Sequence, residues 1–190
     1  IARSSAYVEN AQFEPTVASF AFPSDGDPND PKYSGGQGNL QASTFQHLAI
    51  ADVWAKETGN TDVIVAVIDS GMSTTGANQH EDFRNNLWRN SVDCDADGQD
   101  SDHNGYVDDC NGYNWPDTSG TNPPGASSHG LHVAGIAAAD SNNNLGIAGI
   151  AGGDGTASSG VRVMVLTVRP ARVELAISWS RAPSLLNRRL

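Results

Sequence analysis

The stretch DVIVAVIDSGM, residues 62–72, decides the fold class. Its first seven residues form a nearly continuous apolar and β-branched run, which is typical of a strand that is covered on both faces. The run ends at Asp69, followed by Ser70 and Gly71. A carboxylate in this position can simply cap a turn, but open α/β sheets also place their functional sites just beyond the carboxyl ends of their strands. Asp69 is therefore the first candidate site residue.

A helix and a second strand follow along the chain. Residues 128–139, SHGLHVAGIAAA, begin with a capping Ser and carry apolar residues on one face, which predicts a helix. Residues 161–168, VRVMVLTV, predict a second buried strand. Strand, helix and strand with long connections predict an α/β fold, with a parallel sheet flanked by helices. If that sheet is incomplete, we expect the strand 161–168 to lack a neighbour on one side.

The remaining segments are more irregular. Residues 1–38 are rich in Pro, Gly and Asp, which predicts an extended strap with turns rather than helix. Residues 45–57 have apolar positions at helical intervals, and Gly59 is placed to end that helix. Residues 85–127 are polar and Gly-rich, so we expect a long loop there.

Composition limits the classes of partner. The 190 residues carry 11 basic and 22 acidic side chains, a net charge of −11, and no apolar run approaches the length of a membrane span. We therefore expect a soluble domain without nucleic-acid or membrane partners, and an affinity for hard cations such as calcium. Five Arg and one Glu fall after Val168, so residues 169–190 form a basic tail on an otherwise acidic chain.

His129 is the second candidate site residue. It falls in the first turn of the predicted helix, where Gly130 and Gly135 allow close backbone approach. A carboxylate at a strand end and an imidazole at a helix start, in this chain order, match two members of a hydrolytic triad. We interpret His132, one turn further on, as a packed helix histidine.

Several motifs together resemble one protein family. VIVAVIDSGM (63–72), HEDF (80–83) and SHGLHVAGIAAA (128–139), followed by NNNLGIAGIA and VRVMVLTV, resemble the amino-terminal half of the subtilisin-like serine proteases, the subtilases of peptidase family S8. The resemblance spans about residues 28–168. It implies a three-layer subtilisin-like α/β fold, incomplete at its carboxyl end, and a secreted, monomeric serine endopeptidase acting on polypeptide substrates. It also implies that Asp69 is the triad carboxylate and His129 the general base. Leu131 departs from the pattern, since the family usually has Thr there.

The resemblance also divides the chain. Residues 7–10, YVEN, resemble the last strand of the inhibitory prosegment of the family, so residues 1–14 are expected to be the tail of that inhibitor. Residues 15–168 would be the amino-terminal half of the catalytic domain, and residues 169–190 a tail foreign to the family. Because the sequence begins at Ile1 without a Met, we expect it to be part of a longer precursor.

Two calcium sites are expected. The first is implied by the resemblance, with oxygens from the side chains of Asp30, Asp82 and Asn143 and the main-chain carbonyls of Asp140, Leu145 and Ile147. The second is the loop DSDHNGYVDD, residues 100–109, which matches the early half of a calcium loop with ligands Asp100, Asp102, Asn104 and Asp108. Asn111 stands where such a loop has its bidentate Glu, which predicts weaker binding. Solvated acidic turns remain the alternative for both segments.

Cys94 and Cys110 bracket this loop and permit one internal disulfide. The bond would close about 16 residues and favours an oxidising, extracellular compartment.

The sequence lacks the motifs that supply the family's oxyanion Asn and nucleophilic Ser, both of which follow the second strand. Gly155 to Ser158 resemble the nucleophile motif only in composition and precede that strand. We therefore expect a truncated chain that is inactive as given. Two alternatives stay open: a pseudoprotease, and a calcium-dependent binding or structural module.

Overall fold

The computed structural model describes residues 27–41, 50–74, 79–115, 128–157 and 159–168. The expected prosegment tail (1–14), the basic tail (169–190), the first part of the predicted helix 45–57 and Ser158 lie outside the described residues.

Three parallel strands form a sheet in the order β1-β3-β2, with β1 at Ile64–Asp69, β2 at Gly112–Asn114 and β3 at Arg162–Thr167. The register sets Asp69 of β1 beside Thr167 of β3, so the carboxyl ends of both strands meet at one edge. The predicted α/β fold with a parallel sheet is confirmed. β2 lies inside the segment that the sequence assigns to a loop, because three residues are too few to show an alternating pattern.

Both faces of β3 are covered, as expected for a buried strand. Val163 and Val165 pack on one face against helix α3 (Ser128–Ala138), in a core that also contains Val67 and Phe83. On the other face, Met164 and Leu166 of β3 pack against Tyr106 and Tyr113, and we call these four residues the aromatic cluster. The strand therefore forms the middle of three layers: helix, sheet and aromatic loop.

The expectation of an unpaired strand at 161–168 is wrong for the described residues, because β3 lies between β1 and β2. Among the described strands, β1 and β2 form the two edges of the sheet. Ile68 of β1 is 50% exposed, so the prediction that this strand is covered on both faces fails near its carboxyl end. The apolar run predicted the strand itself, but the coverage of a strand depends on which elements pack against its faces.

Two short helices precede β1. The strap is not wholly extended, since it contains helix α1 at Tyr33–Gly36. Helix α2 spans Ile50–Trp54, which ends earlier than the predicted residue 57. Tyr33, Ile50 and Trp54 form a small apolar cluster with Leu40 and Ala148. This cluster joins the strap to the loop that follows α3, where the first calcium site is expected.

Candidate active site and acidic loops

Asp69 and His129 come together at the carboxyl edge of the sheet. Asp69 is the last residue of β1, and His129 is the second residue of α3. The Nδ1 atom of His129 lies 2.8 Å from Oδ1 and 2.9 Å from Oδ2 of Asp69. The His129 side chain is 74% exposed, whereas that of Asp69 is 18% exposed. The arrangement is a carboxylate at the sheet edge that holds an imidazole facing solvent.

Ser70 and Gly130 fix the approach of helix to strand. The Ser70 hydroxyl donates to Asp69 Oδ1 at 2.8 Å and accepts from the Gly130 backbone N–H at 3.2 Å. A Cβ atom at Gly130 would lie 2.4 Å from the Gly71 carbonyl oxygen, so glycine is required at this close contact. The need for a small residue at Gly130 is predictable from the sequence, whereas the bridging role of Ser70 is not.

The same contacts favour the ionised form of Asp69. Hydrogen bonds lower the pKa of this carboxyl, first from the Ser70 backbone N–H and then from His129, and together they outweigh the opposing effect of partial burial. Asp69 is therefore ionised at neutral pH.

His132 is exposed, so its interpretation as a packed helix histidine is wrong. The buried side of α3 consists of Gly130, Ala134, Gly135 and Ala138. His129 and His132 both lie on the opposite, exposed side of α3. Because they are three residues apart, their side chains are neighbours on the helix surface.

The strap and the loop after α3 meet around Asp82, as the first calcium site requires. Asp82 accepts hydrogen bonds from the Asn143 side-chain amide and from the Ile147 backbone N–H, both at 2.9 Å. Asp30 accepts from the Asn142 backbone N–H at 2.7 Å. The Lys32 backbone N–H donates to the Gly146 carbonyl at 2.9 Å. Two segments more than 100 residues apart in sequence are thus joined at this point.

Two carboxylate oxygens of this region are buried without a partner in the described structure, Asp30 Oδ1 and Asp140 Oδ1. Burial raises the pKa of Asp30, and it raises the pKa of Asp140 to about 6, with the neighbouring charge of Asp82 adding to both. Unpaired buried acceptors close to a like charge fit a bound cation. Asp30, Asp82 and Asp140 do not, however, form a compact trio of carboxylates among the described residues.

Around the second expected site, the described Asp side chains form two groups that share Asp93. Asp100 and Asp102 each place an oxygen within 4.8 Å of one from Asp93. Asp108 belongs to a separate group with Asp93 and Asp95, and its backbone is left-handed with φ 52°. The second calcium site stays a prediction, and Asp93 is a further carboxylate close to its expected ligands. The calcium-loop pattern counts positions from Asp100 onward and could not include a carboxylate that precedes it.

A disulfide joins Cys94 and Cys110, as predicted, with their Cα atoms 4.4 Å apart. It fastens the start of the loop next to the buried Asp109. Burial raises the pKa of Asp109, while hydrogen bonds from the side-chain amides of Asn104 and Asn90 oppose that rise. Asn104, a predicted ligand, therefore donates its amide to Asp109 and also to Asp102.

The fold and this edge of the sheet define an α/β protein in which a strand-end carboxylate orients a helix-start histidine. The sequence model of the subtilase family matches residues 60–162, more than half of the chain, and the chain belongs to this family. No helix in the described part of the chain has the length and apolar character needed to cross a membrane.

The chain is similar to a curated extracellular serine protease and to curated subtilisin-like proteases. It is 34% identical over 118 residues to the halolysin-like extracellular serine protease Nep of Natrialba magadii. This match covers 62% of this chain and 17% of Nep. It is 40% identical over 82 residues to subtilisin-like protease 1 of Plasmodium falciparum (isolate 3D7), 43% of this chain and 11% of that protein. The match to subtilisin-like protease 1 of Plasmodium vivax is 42% over 82 residues, with 43% and 12% covered. The chain thus spans less than a fifth of the length of these relatives.

Proposed function

We propose that the protein is a serine endopeptidase, which hydrolyses peptide bonds in polypeptide substrates, and that Asp69 and His129 are two members of its triad. The observation that supports this most strongly is the 2.8 Å contact between His129 Nδ1 and Asp69 Oδ1. The pair lies at the carboxyl edge of a parallel sheet, inside the segment that matches the subtilase family. A purely structural module would not need an exposed histidine held in this way.

The proposed mechanism follows from the two nitrogen atoms of His129. Its Nδ1–H donates to Asp69, so the lone pair of Nε2 is left to accept a proton from a hydroxyl nucleophile. The nucleophile attacks the peptide carbonyl carbon, and the charged imidazolium is stabilised by the ionised Asp69. Nε2 then gives the proton to the departing amine, which completes acylation; a water molecule repeats the sequence and releases the acid.

We propose further that the nucleophilic Ser and the oxyanion Asn are supplied by residues outside these 190, and that the chain alone is inactive. The absence of both motifs from the sequence supports this, as does a family match that ends at residue 162. In this proposal the amino-terminal half of the catalytic domain spans residues 15–168. The tail of an inhibitory prosegment precedes it at residues 1–14, and a segment foreign to the catalytic domain follows at residues 169–190.

Calcium and secretion complete the proposal. The unpartnered buried oxygens of Asp30 and Asp140 support a cation between strap and loop, and those of Asp93 and Asp108 support binding in the acidic loop. Calcium would supply positive charge that fastens these segments, and it takes no part in the proton transfers. The disulfide and the extracellular relative support secretion. A monomer is expected.

The test begins with a fluorophosphonate probe, which labels only an activated serine. The 190-residue chain should remain unlabelled. The protein translated from the complete source transcript should be labelled and should cleave casein. Stoichiometric labelling of the short chain contradicts the assignment of the nucleophile, and mapping the label would identify the serine responsible. A complete transcript without a nucleophile motif supports a pseudoprotease instead.

The triad assignment is tested in the complete protein. His129→Ala should lower kcat by at least about a thousandfold with little change in KM, because the base acts on the reacting atoms. Asp69→Asn should lower kcat by about ten-thousandfold, because an amide favours the wrong tautomer of the histidine. His132→Ala is the matched control, since it removes an imidazole from the same helix. Equal losses in His129→Ala and His132→Ala would refute the assignment.

A further inference from the structure

A cavity of about 570 Å3 opens at the amino edge of the sheet, on the face that carries the aromatic cluster. Ile64 and Arg162, the first residues of β1 and β3, are paired in register and both line this cavity. β1 runs from Ile64 to Asp69, so the cavity lies about 17 Å along the strand from Asp69. It is therefore separate from the candidate active site at the opposite edge.

Positive charge is concentrated in this cavity. The described residues include five Lys or Arg side chains, and two of them, Arg89 and Arg162, line the cavity. Neither guanidinium forms an ion pair with a carboxylate in the described part of the chain. On a chain with a net charge of −11, two such arginines in one concave site attract an anion.

Both guanidinium groups are positioned by uncharged acceptors. Arg162 donates from Nη1 to the Asn85 carbonyl and from Nη2 to the Ala157 carbonyl, the latter at 3.1 Å. Arg89 donates from Nη1 to the Cys110 sulfur at 3.4 Å, and the disulfide fixes that sulfur. These acceptors orient the two groups without neutralising their charge. Because an Arg side chain has five N–H donors, each group keeps donors for a ligand.

The cavity also has an apolar wall. Ile64 and Trp88 line it, and both pack against the aromatic cluster. Ligand sites of this volume typically combine apolar walls with a few polar groups that fix the orientation of the ligand. An inorganic anion would gain nothing from Ile64 and Trp88. A ligand that joins an apolar group to an anionic one would contact both parts of the cavity.

Asp62 restricts the charge of the ligand. Its exposed carboxylate lines the same cavity, where it repels anions and can accept an N–H group. An anion with two negative charges, such as sulfate, is repelled more strongly than a carboxylate with one. The last residue of a peptide combines a single negative charge, a side chain and a backbone N–H group, and an apolar side chain there would match the cavity.

We propose that this cavity binds the carboxyl terminus of a peptide whose last side chain is apolar. The carboxylate contacts Arg89 and Arg162, the side chain contacts Ile64 and Trp88, and the N–H group faces Asp62. The site goes beyond the proposed peptidase activity, because it uses neither Asp69 nor His129. Hydrolysis of a peptide bond creates termini of this kind, but binding here does not depend on that reaction.

Binding of N-acetyl-L-leucine to the 190-residue chain tests the proposal. This probe carries one carboxylate, one N–H group and an apolar side chain, and N-acetyl-L-leucinamide is its uncharged counterpart. In heteronuclear NMR, the indole N–H signal of Trp88, assigned with Trp88→Phe, should shift as the acid is added. The amide should bind about tenfold more weakly than the acid, because it lacks the charge-assisted hydrogen bonds. Sulfate should also bind more weakly than the acid, and Asp62→Asn should narrow that difference.

Arg89→Gln should weaken binding of the acid about tenfold. Arg84→Gln is the matched control, since Arg84 is also exposed but does not line the cavity, and it should bind the acid as the parent does. Arg162→Gln should weaken binding as well. If Arg162→Gln fails to fold, as judged by near-ultraviolet circular dichroism, the exposed Arg89 carries the test. His129→Ala should bind the acid normally, which separates this site from the peptidase proposal.

Several results would overturn the inference. They are the absence of any shift of the Trp88 signal, equal binding of the acid and its amide, and equal binding of the acid by Arg89→Gln and Arg84→Gln. Sulfate binding as tight as that of the acid would indicate an unselective anion site instead. The titration is repeated on the protein translated from the complete source transcript. A probe that binds the 190-residue chain but not the complete protein also contradicts the inference, because other segments would then fill the cavity.

Discussion

Replacing Gly130 by Ala should separate helix α3 from the end of β1. The added Cβ would lie 2.4 Å from the Gly71 carbonyl oxygen, whereas ordinary contact begins at 3.4 Å, so helix or turn must move by about 1 Å. Both partners are backbone and cannot rotate away. Such overpacking costs about 1–3 kcal/mol of unfolding free energy, of which better helix propensity returns at most about 1 kcal/mol. A net loss of about 1–2 kcal/mol should lower the melting temperature by roughly 2–8 °C.

The same displacement should disturb the Asp69–His129 pair. His129 precedes Gly130 directly, so a shift of about 1 Å would stretch the 2.8 Å contact beyond hydrogen-bond length. The pKa of Asp69, measured by carbon NMR of its carboxyl, should then rise from its lowered position toward its ordinary value. In the complete protein, a displacement of this size should lower kcat about a hundredfold.

Gly135→Ala is the matched control on the same helix. Its Cβ would meet only the tip of the Ile147 side chain, at 3.3 Å, and that tip can rotate. In the middle of α3, Ala should stabilise the protein by up to about 1 kcal/mol relative to Gly. If Gly130→Ala melts at the same temperature as Gly135→Ala and keeps the lowered pKa of Asp69, the close contact does not position the pair.

Three further measurements test the loops. Chelator should lower the melting temperature of the chain. Asp82→Ala should remove most of that difference, because Asp82 would bind the ion that joins strap and loop. An equal response to chelator in parent and variant would contradict this. Alkylation without reductant should leave Cys94 and Cys110 unmodified in intact-mass analysis, and rapid alkylation of native protein would argue against the disulfide. Replacing both cysteines by Ser should cost about 3 kcal/mol of unfolding free energy in the loop-entropy model. In chelator, the free energy of unfolding should fall as pH rises from about 4 to 7. The reason is that the pKa of Asp140 is raised to about 6 in the folded state, so that ionisation of this buried carboxyl opposes folding. Asp140→Asn should flatten this dependence, and an unchanged slope would exclude Asp140 as its cause.

The sequence predicted the residues that meet at the sheet edge because each lies at a recognisable boundary. Asp69 ends a β-branched run and His129 begins an amphipathic helix, and parallel strands place such boundaries on the same side of a sheet. The hydrogen bond from the Gly130 backbone N–H to the Ser70 hydroxyl could not be predicted, since it depends on the distance between two elements that are 60 residues apart. Nothing in the local pattern specifies that distance.

The acidic loop shows a second limit of pattern reading. The sequence motif identified Asp100, Asp102 and Asn104 by their alternating spacing but treated them as a self-contained loop. Asp93 lies outside that spacing, yet one of its oxygens lies within 4.8 Å of oxygens of Asp100 and Asp102, because the chain doubles back. The disulfide at Cys94 was the available signal, since it fixes the residue before it close to the end of the loop.

Contacts within residues 64–168 help to position the Asp69–His129 pair in the described part of the chain. The pairing of β1 with β3 aligns Asp69 with Thr167, and the Val168 backbone N–H donates to the Asp69 carbonyl at 2.8 Å. On the other side, Ser70 joins Asp69 to the first turn of α3 through Gly130. The orientation of the pair therefore depends both on the pairing of β1 with β3 and on the first turn of α3.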